Sequence, residues 1–191
     1  MKNQGNAMAR KIMIVRHGEK PDKDDSIHGV DPKGERDKNE LSPKGWQRSG
    51  ALIRFFNPVN GQFSNPTLAK PNAIFAAAAS GHVKSQRSRN TVQALADSLH
   101  LHVNLKHTKG EEKALVQNVL ATDGIVLIAW EHKAILDVAN LILGNDKTSP
   151  QKWPDSRFDL VWVLDQQPYP CGWMFTQVPQ LLLPGDNPNI L

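Results

Sequence analysis

Three clusters of residues in this chain of 191 could act together on an anion. Arg16-His17-Gly18 follows directly on a short apolar, β-branched run at 11–15, so a cation, an imidazole and a pliable backbone stand side by side. Glu131-His132 follows the apolar run 125–130 in the same way. Between them, Ser85-Gln86-Arg87-Ser88-Arg89 opens a helical pattern with two guanidinium groups. Guanidinium forks and the amides of a helix start both favour a phosphate, and a neutral imidazole can attack one or carry a proton. Each cluster alone is a weak signal, because a strand-end histidine bonded to backbone would explain it equally well. Their meaning depends on whether the fold brings them to one place.

The elements that must do so alternate in type. Runs at 11–15, 72–79, 101–107 and 125–130 read as strands, and 125–130 has no polar side, as expected of a strand buried on both faces. Ser42 can cap exposed amides and Pro43 suits a first helical position, which predicts a helix from there to about Phe56. Val92, Leu95, Ala96 and Leu99 recur at helical spacing within 85–99, as do Ile135, Leu136, Ala139, Ile142 and Leu143 within 133–143. Residues 111–120 form a weaker helical pattern, with Leu115, Val116, Val119 and Leu120 inside and acidic residues at its positive end. Such alternation predicts a three-layer α/β/α fold with a mainly parallel central sheet. Ligands then bind at the carboxyl ends of the strands, where both histidines fall. Segments 158–164 and 173–178 break the pattern and read as an antiparallel hairpin at one sheet edge, ahead of an extended tail carrying Pro179, Pro184 and Pro188. Segment 20–40 is long, charged and too polar for the core, so it either borders a site or is mobile.

In this order the residues resemble the histidine phosphatase superfamily, in its phosphoglycerate mutase-like branch. The resemblance rests on Ile14-Val15-Arg16-His17-Gly18-Glu19-Lys20-Pro21, on Leu41-Ser42-Pro43-Lys44-Gly45, on Arg87-Ser88-Arg89-Asn90-Thr91 and on the strand 126–132 ending in histidine. It implies a phosphoglycerate mutase-like fold with His17 as the nucleophile that takes a phosphoryl group, and with Arg16, Arg87 and His132 holding the phosphoryl oxygens. Arg87 is preferred to Arg89 because the family's arginine lies four residues before its threonine, here Thr91. Residues two apart on a helix point about 200° from one another, so only one of the two can face a pocket directly.

The resemblance is incomplete at the general acid. Many relatives place a glutamate about 25 residues after the second arginine, which brings Glu111 and Glu112 forward, yet two acidic residues opening a helix need no further role. Glu131 is a third candidate, although a residue beside a strand-end histidine is expected to point elsewhere; Glu19 is expected to support its loop. The resemblance therefore implies phosphoester or phosphoramidate hydrolysis through a phosphohistidine on His17. Phosphoglycerate mutase-type transfer, or a phosphate-binding scaffold module of low activity, stands as the alternative. The expected partner is a small phosphorylated substrate or a phosphoprotein.

Composition narrows the field. Lysine and arginine exceed aspartate and glutamate by 23 to 19, a net +4 that mildly favours anionic partners, but no basic helix or aromatic-basic stripe points to nucleic acid. Cys171 is the only cysteine, which excludes an internal disulfide and any two-cysteine zinc site. No run of about 18 apolar residues is present and residues 1–10 lack a secretory apolar core, so a cytoplasmic protein with no membrane partner is expected. One domain over 1–191 is expected, with 1–10 flexible. No cofactor and no metal ion are expected: His100 and His102 form a lone His-x-His pair with no third ligand in view. Ser80, His82 and His28 are minor candidates for contact with a substrate. The tryptophans, Trp130, Trp162 and Trp173 among them, are expected to fill the core or its edge.

Overall fold

The computed structural model describes residues 8–24, 26–81, 84–168 and 171–191. Ten elements follow in the order β1 (Ala9–Arg16), α1 (Pro43–Phe56), β2 (Ala73–Ala76), α2 (Arg87–Ser98), β3 (Val103–Asn104), α3 (Glu112–Leu120), β4 (Gly124–Trp130), α4 (His132–Leu143), β5 (Leu160–Gln167) and β6 (Gly172–Pro179). Six strands form one sheet in the order β3-β2-β4-β1-β5-β6. The first four are parallel to one another, while β5 runs antiparallel to β1 and β6 antiparallel to β5.

The alternation along β1 divides the core. Ile12 and Ile14 pack with Val126, Ile128 and Trp130 of β4 under α3 and α4, through Leu115, Val119, Ile135 and Val138. Met13 and Val15 face the other way, with Leu127 and Ala129, against Leu52 and Phe56 of α1 and Val92 and Leu95 of α2. A strand covered on both faces must be apolar throughout, which is why β4 reads as an unbroken apolar run. The result is the three-layer arrangement expected, with the antiparallel hairpin at the β6 edge. Trp130 and Trp162 are fully buried, and Trp173 packs partly buried against the same core.

Local chemistry accounts for most of the boundaries. The Ser42 hydroxyl accepts the Gly45 amide at 3.2 Å and Pro43 occupies the first turn of α1. Gly144 ends α4 in the left-handed conformation, at φ 71°, where a Cβ would be strained. Some expectations fail at the margins. The edge strand expected over 101–107 shortens to Val103–Asn104, because only Ile74 and Phe75 offer it a ladder. The strand expected over 72–79 shortens to Ala73–Ala76, with an isolated bridge from Ala78 to Thr108. β5 starts later than expected and runs on through polar Gln166 and Gln167, which pair with Trp173 and Gly172 of β6. Residues 1–7 lie outside the described residues, but Ala9 and Arg10 are not a loose leader: Ala9 pairs with Gly124 and belongs to β1. No helix among the described residues is long and apolar enough to cross a membrane.

Candidate active site

β1 and β4 lie side by side with Arg16 opposite Trp130, and the His17 amide continues the ladder by donating to the Trp130 carbonyl at 3.0 Å. One residue later in each strand, His17 and Glu131 leave the sheet, and α4 starts at His132. α2 starts at Arg87 above the end of β2. Arg16, His17, Arg87, Glu131 and His132 thereby line one cavity of about 200 Å³, with Lys20 and Lys109 at its margin. That volume suits a compact anion; drug-sized ligands occupy roughly 300–1,000 Å³.

The His17 ring is fixed from one side. Its Nδ1 lies 2.7 Å from the Gly18 carbonyl, and because a carbonyl can only accept, Nδ1 carries the proton and Nε2 keeps its lone pair. Burial pushes the His17 pKa down to about 3; the Gly18 bond works against this, and the positive fields of Arg16, Arg87 and His132 add to it. A neutral imidazole with a free Nε2 is the nucleophilic form.

Gly18 is held in turn by α2. Its amide donates to Thr91 Oγ1 at 2.7 Å, and that hydroxyl donates to the Arg87 carbonyl at 2.7 Å. The four-residue spacing of Arg87 and Thr91 is one helical turn, so the relay ties the turn carrying Arg87 to the loop carrying His17. A Cβ on Gly18 would lie 3.0 Å from the Gly45 carbonyl, tighter than ordinary contact, so the chain after His17 packs closely on the start of α1.

Two arginines face the cavity with nitrogens to spare. Arg16 Nη1 donates to the carbonyls of Asp155 and Arg157 at 2.8 and 2.9 Å, and its Cζ stacks 3.7 Å from the Phe158 ring centre. Its Nε and Nη2 are buried with no hydrogen-bond partner among the described residues. Burial lowers its pKa to about 10, which leaves it charged at neutral pH, with Asp155 opposing that shift. Arg87 Nη1 donates to the Lys38 carbonyl at 3.1 Å, while its Nε is buried with no hydrogen-bond partner among the described residues. The described stretch 26–40 of segment 20–40 therefore borders the site. It is held there by a Val30–Arg36 bridge and by Trp46 Nε1 donating to the Val30 carbonyl at 2.7 Å.

His132 is buried at the first turn of α4. Its Nε2 lies 2.7 Å from Asp155 Oδ1, an ion pair only when the ring is protonated, and among the described residues neither ring nitrogen has an aligned hydrogen-bond partner. Burial, followed by the field of Arg16, holds its pKa below the usual histidine range against the pull of Asp155 and Glu131. Among the described residues, seven buried side-chain polar atoms lack a hydrogen-bond partner, and five of them are nitrogens of Arg16, Arg87 and His132. Buried polar groups are normally satisfied, so the unused guanidinium N–H groups of Arg16 and Arg87, with His132 beside them, mark a place made for an acceptor-rich group.

The carboxylates separate. Glu111 Oε2 accepts the Thr108 amide and hydroxyl at 2.7 and 3.0 Å, and Glu112 Oε1 accepts from Gly110 and from Trp130 Nε1 at 3.0 Å. Both shape the turn into α3 and neither lines the cavity. Glu131 does, against the expectation that it would point away. Strand alternation stops at Trp130, and Glu131 is the extended cap residue of α4, at φ −89° and ψ 134°, so its side chain is turned to the cavity and meets Lys109. Glu19 pairs with Arg48 and supports its loop as expected.

Arg89 is exposed and bonds Gln93 along its own helix. Ser80 and His28 do not line the cavity, and His82 lies outside the described residues. His100 and His102 border a separate surface depression, and no group of three metal-ligating side chains occurs among the described residues. A larger depression of about 690 Å³ lies between α3 and α4, away from every unpaired nitrogen. Lys109 and Asp155 were not foreseen. Lys109 follows the β3 edge at the same carboxyl end of the sheet and was in principle legible; Asp155 lies in an irregular segment that no periodicity locates.

No family model matches the sequence, and no curated protein matches it. Solved structures do match the fold. SixA from Agrobacterium tumefaciens, a candidate phosphohistidine phosphatase, is similar over 87% of this chain and 96% of its own, with a TM-score of 0.50 at 14% identity. The chain has a phosphoglycerate mutase-like, histidine phosphatase fold. A mycobacterial glucosyl-3-phosphoglycerate phosphatase is similar over 88% of this chain and 97% of its own (TM-score 0.52, 12% identity). YhfR of Bacillus stearothermophilus is similar over 86% and 94% (TM-score 0.53, 12% identity).

Proposed function

We propose that the protein is a phosphatase of the histidine phosphatase superfamily, acting on phosphomonoesters or phosphoramidates through a phosphohistidine on His17. The observation that carries this reading is the set of buried, unused guanidinium nitrogens of Arg16 and Arg87, lining one cavity with His132 and with a neutral His17 whose Nδ1 is already bonded. Phosphoryl transfer asks the protein chiefly for a positioned nucleophile and for donors on the equatorial oxygens. His17 Nε2 attacks phosphorus as the bond to the leaving oxygen or nitrogen breaks, and the leaving atom takes a proton from solvent, to which the attacking water of the second step returns one. Water then attacks the phosphohistidine, the P–N bond breaks, and inorganic phosphate leaves with His17 restored. Guanidinium and imidazole groups meet the charge, so the scheme calls on no metal ion. The mycobacterial phosphatase of the same fold has been solved with VO3, which fits an oxyanion-handling site here.

A second reading, a phosphate-binding module with little turnover, has one observation in its favour: Glu131, the carboxylate lining the cavity, is paired with Lys109. Turnover of p-nitrophenyl phosphate with an acid-labile, alkali-stable phosphoprotein supports the phosphatase. Phosphate binding without turnover supports the module. Wild-type turnover in His17→Ala would overturn the assignment of the nucleophile.

A further inference from the structure

A second compartment, of about 330 Å³, adjoins the phosphoryl cavity between residues 20–22 with Ile27, the start of α1 and segment 155–158. Three residues join the two. Lys20 lines both. Asp155 lines the second and touches His132 of the first at 2.7 Å. Phe158 lines the second, and its ring holds Arg16 Cζ at 3.7 Å and lies 6.1 Å from the His17 ring. A phosphoryl group among Arg16, His17 and His132 thus has this compartment as its neighbour.

We propose that the compartment receives the leaving group of the substrate and selects an uncharged, apolar one, an aryl or branched alkyl group. The inference rests on the reading of the first cavity as a phosphoryl site. Pro21, Ile27 and Phe158 supply apolar walls, and Ile27 keeps 48% of its surface exposed there, within an otherwise charged segment. The charges at the rim offer no welcome to a second anion. Glu19, Asp22 and Asp155 face Lys20 and Lys44, three carboxylates against two ammonium groups. Glu19 is bound at 2.7 Å by Arg48, with Lys44 at 3.9 Å; Lys44 also donates to the Pro184 carbonyl at 3.3 Å. Asp22 accepts the Ser26 hydroxyl, and Asp155 lies against His132 and in the field of Lys20. A second phosphate or carboxylate would meet like charge without a free cation cluster to repay its desolvation, which is selection by exclusion as much as by fit. The site is therefore the reverse of one built for bisphosphates.

Calorimetric binding of three phosphonates to the whole protein, each in competition with inorganic phosphate, tests this without requiring turnover. Methylphosphonate reports the phosphoryl cavity alone. Benzylphosphonate is expected to bind about tenfold or more tightly than methylphosphonate, because part of a ring leaves water, and phosphonoacetate no more tightly. Ile27→Ser, at a half-exposed position, is expected to cut the benzyl-to-methyl ratio to about threefold or less. Benzylphosphonate binding no better than methylphosphonate, or phosphonoacetate binding best, overturns this inference and leaves the phosphoryl reading standing. Failure of methylphosphonate to bind overturns the phosphoryl reading, and the leaving-group site with it.

Discussion

A buried, neutral His17 makes stability depend on pH in a way that can be worked out in advance. In the folded protein its pKa falls from 6.5 to about 3, with burial as the largest cause; in the unfolded chain it returns to the ordinary value. Between those limits the unfolded state binds a proton that the folded state refuses, so the contribution of His17 is complete above pH 6.5 and is lost as the pH falls below it. At pH 5 the unfolded histidine is about 97% protonated, and the cost to the folded state is about 2 kcal/mol. That figure needs only a folded pKa well below 5. Urea unfolding of the wild type and of His17→Asn at pH 7.5 and pH 5 isolates the effect, since carboxylates and the remaining histidines titrate in both proteins. The wild type is expected to lose about 2 kcal/mol more than the variant over this interval. Equal losses, or a greater loss in the variant, would show that His17 is solvated or already protonated, and the account of its nucleophilic form would fall. The same property predicts that the acid limb of the kcat/KM profile does not report an imidazole pKa near 6.5 at His17.

Two further perturbations address groups around the site. Arg48 binds Glu19 and Asp186, each at 2.7 Å, and its own side chain is 1% exposed; burial works against its charge, but the bonds from Asp186 and Glu19 hold its pKa above the usual range. Arg48→Met should cost about 3–5 kcal/mol by urea unfolding because two largely buried carboxylates lose their counter-ion, with part of the loss recovered on adding Glu19→Gln and Asp186→Asn; a loss below about 1 kcal/mol would contradict it. Glu131→Gln should lower kcat for alkyl phosphates by about 10²-fold or more if its carboxyl protonates the leaving oxygen, with a smaller effect on p-nitrophenyl phosphate, while Glu111→Ala leaves both rates in place. The opposite pattern would move the acid to the start of α3.

What could be read from the chain and what could not divide along a physical line. The helices announced themselves because each carries its own apolar stripe and some carry their own caps, as Ser42 and Pro43 do for α1. β4 announced itself because a strand covered on both faces tolerates no polar residue. Helix geometry lets only one of Arg87 and Arg89 face the pocket and the resemblance picks Arg87; the Thr91 relay to Gly18 gives the four-residue spacing its reason. Arg48 went unread because an arginine on an amphipathic helix is normally solvent-facing; only the return of the C-terminal tail, which brings Asp186 to it, makes burial tolerable. Asp155 went unread for the same kind of reason, since its place beside His132 is fixed by Arg16 grasping the carbonyls of Asp155 and Arg157 from 139 and 141 residues away in sequence. Glu131 is the instructive failure. Alternation within a strand argued that it and His132 should face apart, but alternation is a property of extended ladders and β4 ends one residue earlier. At the turn into α4 the backbone rotates from one regular structure to the other, and side chains that neighbour in sequence can then share a cavity. Residues at such junctions are where strand-based inference about orientation has no force, and they are also where α/β folds put their chemistry.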